Sequence, residues 1–389
     1  MNILFADRMQ EGESGVFHKI KEKKAALLQQ GRKLYDMSIG TPDFLPPSHV
    51  IDAMAAACKD PKNYKYAIND IPELKEALLG YYNRRYKVVL KECELTSVNG
   101  TQEGLAHIFL ALCNQDDYVL IPDPGYPIFR DGPTLAGANV YTYPLLEEYS
   151  YLPDFQAIPA DIAKKAKAMI ISYPLNPVGA TAPERFYREV IEYAKQNNII
   201  IIHDNAYSNI VFGNMRGRSF LEFEDAKEVG IEFFSLSKSY NLTGARISFA
   251  VGNEQIIEQF KRLRSKIDYG MFLPLQYAGA AALNGDQTFV DDQCAQYEER
   301  AKRLCSGFRR IGWEVKDSQG SMFVWCKIPG HFQNSEEFCD SLMEKAGVIC
   351  TPGSSFGKLG KNYVRFALVL QTEEIDKVIE AIDESGILR

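Results

Sequence analysis

The chain has 389 residues, a length that predicts about two to three domains, and its 44 basic and 51 acidic side chains give a net charge of −7. The apolar fraction of 46% and the charged fraction of 24% are typical of a globular protein, and they exclude collagen-like and disordered architectures. The acidic balance argues against nucleic-acid binding, which needs a basic face.

Neither secretion nor membrane insertion is predicted. The first eight residues lack the basic and apolar regions of a signal peptide, and no stretch reaches the roughly 18 apolar residues of a spanning helix. The eight cysteines form no Cys-x-x-Cys pair, so we expect reduced, mostly buried thiols in a cytoplasmic protein. The five histidines are scattered, and no metal site is expected.

Strand-like and helix-like segments alternate through the first two thirds of the chain. Apolar residues at helical spacing predict helices over 20–30, 102–113 and 182–197. Short apolar runs predict strands over 118–122, 139–143, 168–173, 199–203, 233–236 and 247–251. This alternation predicts an α/β domain with a largely parallel sheet.

Beyond about residue 275 the pattern changes to an α+β layout. Helices are predicted over 288–311, 335–346 and 372–384, with a strand pair formed by 313–315 and 322–327 and a further strand over 363–369. We therefore expect a large domain over 45–275 and a smaller α+β domain formed by 1–44 together with 276–389.

The residues that follow each predicted strand are the candidate site residues, because open α/β sheets bind ligands at the carboxyl ends of their strands. Lys238 lies in a Ser-Leu-Ser-Lys-Ser run after the 233–236 strand, and Arg246 follows eight residues later. Serines with an arginine suit a phosphate, and a lysine can form an imine with an aldehyde.

A carboxylate and a phenol follow the 199–203 strand. Asp204 ends this apolar run, where it can hold a proton on a heterocyclic nitrogen, although it could equally cap the next turn. Tyr207, three residues on, can donate its hydroxyl to an oxyanion.

Three loops and one strand add further candidates. Gly100 and Thr101 form a turn before a helix, which can bind an anion through backbone amides or be an ordinary cap. Tyr126 lies on a rigid Pro-Gly loop and can stack on a planar ring, while Asn176 on a Pro-flanked loop can bond a ring hydroxyl. Arg365, in a predicted strand, suits a carboxylate.

Taken in order, these motifs resemble the fold-type-I, pyridoxal-phosphate-dependent aminotransferases of classes I and II. The resemblance runs from the Met37-Ser-Ile-Gly40 segment to Arg365, and residues 230–244 are most similar to the LL-diaminopimelate aminotransferases and their relatives. It implies a large domain with a mostly parallel central sheet covered by helices and a smaller α+β domain. It also implies pyridoxal 5'-phosphate as cofactor, amino acids and 2-oxo acids as substrates, and a homodimer with shared active sites.

The resemblance implies a role for each matched residue. Of the implied catalytic residues, Lys238 would bond the cofactor and act as the base, Asp204 would hold the ring nitrogen, and Tyr207 would bond the ring 3′-oxygen, as would Asn176. Gly40, Asn176 and Arg365 would bind the substrate. A tyrosine of the neighbouring subunit would reach the phosphate, either Tyr66, the first candidate, or Tyr64. The implied cofactor-binding residues are Gly100, Thr101, Gln102, Tyr126, Asn176, Asp204, Tyr207, Ser235, Ser237, Lys238, Arg246 and Tyr66.

The expected reaction is a ping-pong transfer of an amino group from an α-amino acid to a 2-oxo acid. A C–S β-lyase or another pyridoxal-phosphate enzyme of the same fold is the alternative, and a non-catalytic ligand sensor is a more distant one. The amino donor is expected to be a dicarboxylic or other polar amino acid, with diaminopimelate a candidate. Gln102 stands where the most similar group often has a lysine, so this position is expected to affect donor choice.

Overall fold

The computed structural model describes residues 3–6, 9 and 14–389. The α-helices in this part of the chain are α1 Ser14–Gln29, α2 Ser48–Cys58, α3 Pro72–Tyr86, α4 Thr101–Leu112, α5 Ile128–Leu135, α6 Ala160–Lys165, α7 Glu184–Asn197, α8 Ala226–Val229, α9 Leu236–Ser239, α10 Glu254–Arg264, α11 Leu273–Asn284, α12 Thr288–Arg310, α13 Ser335–Ala346 and α14 Thr372–Glu384. The other positions before residue 14, which the targeting prediction and the range 1–44 include, lie outside the described residues.

The β-strands belong to three sheets. They are β1 Tyr35–Asp36, β2 Leu95–Val98, β3 Tyr118–Asp123, β4 Asn139–Pro144, β5 Ala166–Ile171, β6 Ile200–Asn205, β7 Gly230–Ser235, β8 Ser248–Gly252, β9 Phe323–Lys327, β10 Val348–Ile349, β11 Thr351–Pro352 and β12 Tyr363–Ala367.

A seven-stranded sheet in the order β2-β8-β7-β6-β5-β3-β4 forms the centre of the larger part of the fold. The neighbours from β4 to β7 pair in parallel, whereas β8 runs antiparallel to both β7 and β2. The prediction of a mostly parallel sheet is confirmed. Because parallel strands end at one edge of the sheet, the loops after β3, β5, β6 and β7 meet there.

Apolar side chains on both faces of this sheet explain its helical cover. One core joins Ile202 and Phe233 to α4, α5 and α10, and a second core joins Ile201 and Phe234 on the other face to α3, α7 and α11. A strand that is buried on both faces reads as a continuous apolar run, as the Ile-Ile-Ile segment of β6 does.

The C-terminal part contains an antiparallel sheet in the order β11-β12-β9, packed against α12, α13 and α14. The predicted helices over 335–346 and 372–384 coincide with α13 and α14. The predicted strand over 313–315 is wrong. The Trp313 backbone N–H bonds the carbonyl of Phe308 at the end of α12, and its indole N–H bonds the carbonyl of Lys327 at 2.7 Å. The backbone therefore continues from the helix end, and the contact with β9 runs through the indole side chain rather than through a backbone ladder.

Contacts far apart in sequence join the N-terminal segment to the C-terminal sheet and helices. Leu27 of α1 packs with Met343 and Ile349, and β1 pairs in parallel with β10. The buried Arg300 guanidinium donates to both carboxylate oxygens of Asp43, at 2.7 and 2.8 Å. In contrast, α11 packs on α2 and α3 beside the central sheet. The division at residues 45 and 275 stays a prediction.

The cysteines and the helices bear on two further expectations. All eight cysteines are free thiols, but only four are buried, Cys305, Cys326, Cys339 and Cys350, so the expectation of mostly buried thiols is wrong for the other half. The other four, Cys58, Cys93, Cys113 and Cys294, are half-buried. Among the described helices, none is long and apolar enough to cross a membrane.

Candidate active site

Lys238 lies in α9, directly after β7 at the carboxyl edge of the central sheet. Ser235 caps this short helix, because its hydroxyl oxygen accepts the backbone N–H of Ser237 at 3.1 Å. The Ser248 hydroxyl donates to the same oxygen at 2.9 Å, which fixes the turn against β8. The sequence therefore sets the lysine on a short, hydrogen-bonded turn, with Ser237 one residue before it.

The Lys238 amine points towards the N-terminal segment, where it donates to the carbonyl of Gly40. Burial, with smaller contributions from the positive charges of Arg365 and Arg246, lowers the pKa of this amine to about 8. A substantial fraction is therefore neutral near pH 8, the form in which an amine acts as a nucleophile or base.

Asp204 occupies the corresponding position near the end of β6, where its carboxylate is buried and one oxygen, Oδ1, has no partner in the described part of the chain. Burial raises the pKa of Asp204 to about 7, and the neighbouring His203 opposes this shift. An ionised carboxylate in such a place needs a cation or a donor that a ligand would have to supply.

Arg365 reaches the site from β12 of the C-terminal sheet. Its guanidinium lies between the rings of Phe323 and Phe356, 4.0 and 4.6 Å from the two ring centroids. It donates to the Asn176 amide oxygen and to the Ser38 carbonyl, each at 2.9 Å. Burial lowers the pKa of Arg365 to about 10, and no carboxylate of the described residues pairs with it.

Two tyrosines, Tyr126 and Tyr207, lie beside these charged groups. Burial raises the pKa of each phenol above its ordinary value; the Arg365 charge opposes this shift and the Asp204 charge adds to it. Both are therefore neutral hydroxyl donors near neutral pH. The Tyr126 hydroxyl donates to the side-chain oxygen of Gln102 at 3.1 Å, which places Gln102 beside it on the exposed side.

The start of α4 forms the anion-binding part of the site. Helix α4 begins at Thr101, and Gly100 before it has a φ of 95° and supplies no side-chain cap. An added Cβ on Gly100 would lie 2.0 Å from Nη2 of Arg246, so only glycine lets the guanidinium approach the helix start. Free backbone N–H groups and a guanidinium at one point favour a phosphate.

Pyridoxal phosphate fits this set of groups. The carboxylate of Asp204 has an unpartnered oxygen for a ring nitrogen, Lys238 has an amine for an aldehyde, and the Gly100–Arg246 cradle suits a phosphate. No group of three or more potential metal ligands lies among the described residues.

Tyr66 is not part of this assembly within one chain. Its side chain is 80% exposed and its ring contacts Tyr269, while its hydroxyl bonds none of the described residues. Tyr64 is 63% exposed, and its hydroxyl donates to the Cys58 carbonyl at 2.9 Å.

The sequence reasoning missed the residues that hold the site residues in place. Ser38 and Thr351 both accept hydrogen bonds from Arg365, and the buried Gln293 donates to the Lys238 carbonyl at 2.7 Å. Thr351 lies in β11 directly opposite Arg365 of β12, a pairing that no local sequence signal indicates. Gln293 in a long helix carries no such signal either.

A family model described as aminotransferase class I and II matches residues 32–382. The chain belongs to this family. Its sequence is 40% identical over 379 residues, or 97% of both chains, to an LL-diaminopimelate aminotransferase of Moorella thermoacetica.

Solved structures agree with the assignment. Substrate-bound BacF of Bacillus subtilis is 35% identical, with 98% of each chain covered and a TM-score of 0.94. A probable N-succinyldiaminopimelate aminotransferase of Thermus thermophilus is 33% identical with a TM-score of 0.91, covering 95% of this chain and 100% of that one. The fold-type-I prediction is confirmed.

The protein is therefore a pyridoxal-phosphate-dependent aminotransferase that acts on amino acids and 2-oxo acids. The comparisons do not favour the β-lyase or the ligand sensor. The assignment of individual site residues stays a prediction.

Replacing Asp204 by asparagine should make the cofactor-free aminotransferase increasingly stable, relative to wild type, as the pH rises. The folded-state pKa of about 7 lies above the unfolded value of roughly 3.9, so the folded wild type binds an extra proton between these values and loses stability through this interval. The stability of Asp204→Asn relative to wild type should rise by about 2.5 kcal/mol between pH 5 and pH 8. Urea unfolding at the two pH values measures this change.

The exposed Asp52→Asn on α2 is the matched control and should show no such change. A difference between Asp204→Asn and wild type that is the same at both pH values would contradict the assigned environment of Asp204.

Proposed function

We propose that this aminotransferase binds pyridoxal phosphate at the carboxyl edge of its central sheet, with Lys238 as covalent anchor and Arg365 as the holder of the substrate α-carboxylate. The observation that carries the proposal is that the buried Asp204 and Arg365 and the half-buried Lys238 surround one site without partners of opposite charge. Such burial is unfavourable unless a ligand supplies the missing partners.

The cofactor, when bound, supplies an aldehyde for the amino group and a cationic ring that withdraws electrons from the substrate. The Asp204 carboxylate would keep the proton on the ring nitrogen, because the negative charge stabilises the cation. The Asn176 amide oxygen already accepts from Arg365, so its N–H group remains to donate to the ring oxygen, together with the Tyr207 hydroxyl. Tyr126 would stack on the ring.

The phosphate would be bound at the start of α4. The free N–H groups of Thr101 and Gln102 follow Gly100, and the Arg246 guanidinium adds a positive charge. The hydroxyls of Ser235 and Ser237, on the turn before Lys238, would add donors.

Lys238 would move the proton at the reacting carbon. Its pKa of about 8 leaves part of the amine neutral near neutral pH, so it can take the proton from the substrate α-carbon and would deliver it to the ring-side aldehyde carbon of the cofactor. Arg365, with Gly40 beside the amine, would hold the α-carboxylate in one orientation, which favours reaction by proximity.

The Lys238→Ala variant should bind the cofactor without a covalent bond and lose nearly all transaminase turnover. Borohydride reduction followed by peptide mass measurement should find the cofactor on the Lys238 peptide of wild type, and on no peptide of the variant. Lys261→Ala, which removes a half-buried lysine on α10, is the control and should remain active. Turnover near the wild-type rate in Lys238→Ala would show that another residue is the anchor.

We further propose that the active unit is a homodimer with shared sites. Two segments expose an apolar surface, which we term the aromatic surface, made of Tyr64, Tyr66, Ile68, Ile267, Tyr269 and Phe272. Tyr64 packs on Phe272 and Tyr66 on Tyr269, with ring centroids 5.5 and 5.4 Å apart. Exposed apolar patches of this kind mark protein–protein interfaces. The free hydroxyl of Tyr66 favours it over Tyr64 as the residue that reaches the phosphate in the other subunit.

Mixing Tyr66→Phe with Lys238→Ala should restore activity above the sum of the two parents. In a mixed dimer, one site combines Lys238 of the first chain with Tyr66 of the second, so that site is intact. Activity after subunit exchange, confirmed by mass measurement of the mixed species, checks this expectation.

Tyr64→Phe serves as the matched control and should be active without a partner variant. The absence of recovery in demonstrated mixed dimers would contradict shared sites.

The amino donor is proposed to be a polar α-amino acid, with diaminopimelate the first candidate. Several relatives at 38 to 40% identity are LL-diaminopimelate aminotransferases, which supports this choice. Gln102 lies next to Tyr126 on the exposed side of the site and offers an amide rather than a cation.

The Gln102→Lys variant should raise kcat/KM for diaminopimelate relative to methionine. A lysine would add a charge-assisted bond to the distal carboxylate, about 1.5–3 kcal/mol, or roughly 10- to 150-fold in the ratio. Gln102→Met removes the hydrogen bond to Tyr126 without adding charge and is the control. The same ratio in wild type and Gln102→Lys would show that the distal group is recognised elsewhere.

We also propose a cytoplasmic location. The eight free thiols support it, since thiols persist in a reducing compartment. Fractionation of the producing cells would test the location directly.

A further inference from the structure

A set of hydrogen bonds joins the end of β3 in the central sheet to the loop before β12 in the C-terminal sheet. The buried Asp123 carboxylate accepts the backbone N–H groups of Lys358 and Leu359, at 3.1 and 3.2 Å. In the opposite direction, the Gly125 N–H donates to the Phe356 carbonyl at 2.7 Å. These three bonds form a bracket between two sheets, which we term the Asp123 bracket.

Gly357 is the residue that lets the bracket close. Its φ of 131° lies in the region that favours glycine, and an added Cβ would lie 2.1 Å from Oδ1 of Asp123. A side chain at this position would push the loop off the carboxylate.

The bracket adjoins two predicted site residues, Tyr126 and Arg365. On one side, Tyr126 follows Gly125 in the same turn of chain. On the other side, the ring of Phe356 packs on the Arg365 guanidinium, 4.6 Å from its centroid. The loop therefore supplies one of the two aromatic rings that pack against the Arg365 guanidinium.

We propose that Asp123 is a positioning residue that holds the 356–359 loop, and through Phe356 the Arg365 guanidinium, at the distance from Tyr126 that the substrate carboxylate requires. This inference rests on the proposed role of Arg365. Asp123 touches neither substrate nor cofactor and acts through the loop. Loss of the bracket should therefore weaken carboxylate binding much more than cofactor binding or the chemical step.

The test compares Asp123→Asn and Gly357→Ala with wild type, all as cofactor-loaded enzymes. In Asp123→Asn one of the two acceptor oxygens becomes an N–H₂ group, so one of the two backbone N–H groups loses its partner. An alanine at 357 breaks the bracket without changing any charge. We expect KM for the amino donor and the inhibition constant of glutarate, a carboxylate without an amino group, to rise about tenfold. We expect kcat to change by less than about threefold and the cofactor dissociation constant to stay at the wild-type value.

Asp154→Asn is the matched control. Asp154 is exposed and accepts a backbone N–H of Gln156 at 2.9 Å within its own segment, so this variant makes the same carboxylate-to-amide change at a bond that joins no sheets. It should leave KM and the glutarate constant unchanged.

Two results would overturn the inference. The first is a wild-type KM and glutarate constant in both bracket variants. The second is a parallel loss of kcat, cofactor affinity and thermal stability, as a merely structural role would give. The Arg365→Lys variant, measured alongside, distinguishes failure of this inference from failure of the proposed function. If Arg365→Lys leaves the glutarate inhibition constant unchanged, Arg365 does not hold the carboxylate, whatever the bracket variants do.

Discussion

The desolvation of three charged side chains is the constraint on which the rest of the site depends. Asp204 and Arg365 are buried and Lys238 is half-buried, and desolvation moves the pKa of each towards its uncharged form. A protein interior tolerates such groups when a partner completes them. A ligand with a ring cation, an aldehyde and carboxylate or phosphate anions supplies all of these partners at once, as pyridoxal phosphate and an amino acid do together.

The fold supports this arrangement by bringing groups from two sheets to one place. Asp204 and Lys238 follow adjacent strands of the central sheet, whereas Arg365 comes from β12 of the C-terminal sheet. Hydrogen bonds from Lys238 to Gly40 and from Arg365 to Asn176 cross between these parts. The relative placement of the two sheets is thus part of the geometry of the site.

Much of the fold follows from local sequence patterns. Continuous apolar runs predict the buried parallel strands, and helical spacing predicts α4, α7, α13 and α14 closely. The predicted strand over 313–315 failed because the Trp313 side chain and backbone bond the helix end and Lys327, contacts that no local pattern contains. The site residues were predicted from the order of the motifs, which the chain shares with the family, because no single turn identifies them. Arg365 is supported by Ser38 and Thr351, which lie 327 and 14 residues away from it in sequence, and these contacts depend on tertiary packing.

The most direct test of this account is a ¹³C NMR titration of protein labelled at the aspartate carboxyl carbons, with Asp204→Asn used to assign the signal. The account predicts that the Asp204 carboxyl titrates near pH 7 in the cofactor-free aminotransferase, and that it stays ionised to about pH 5 or below once the cofactor is bound. A midpoint near the ordinary value of about 3.9 without cofactor would contradict the claim that the Asp204 carboxylate is buried and unpaired. The same midpoint with and without cofactor would contradict the claim that the ring cation is its partner.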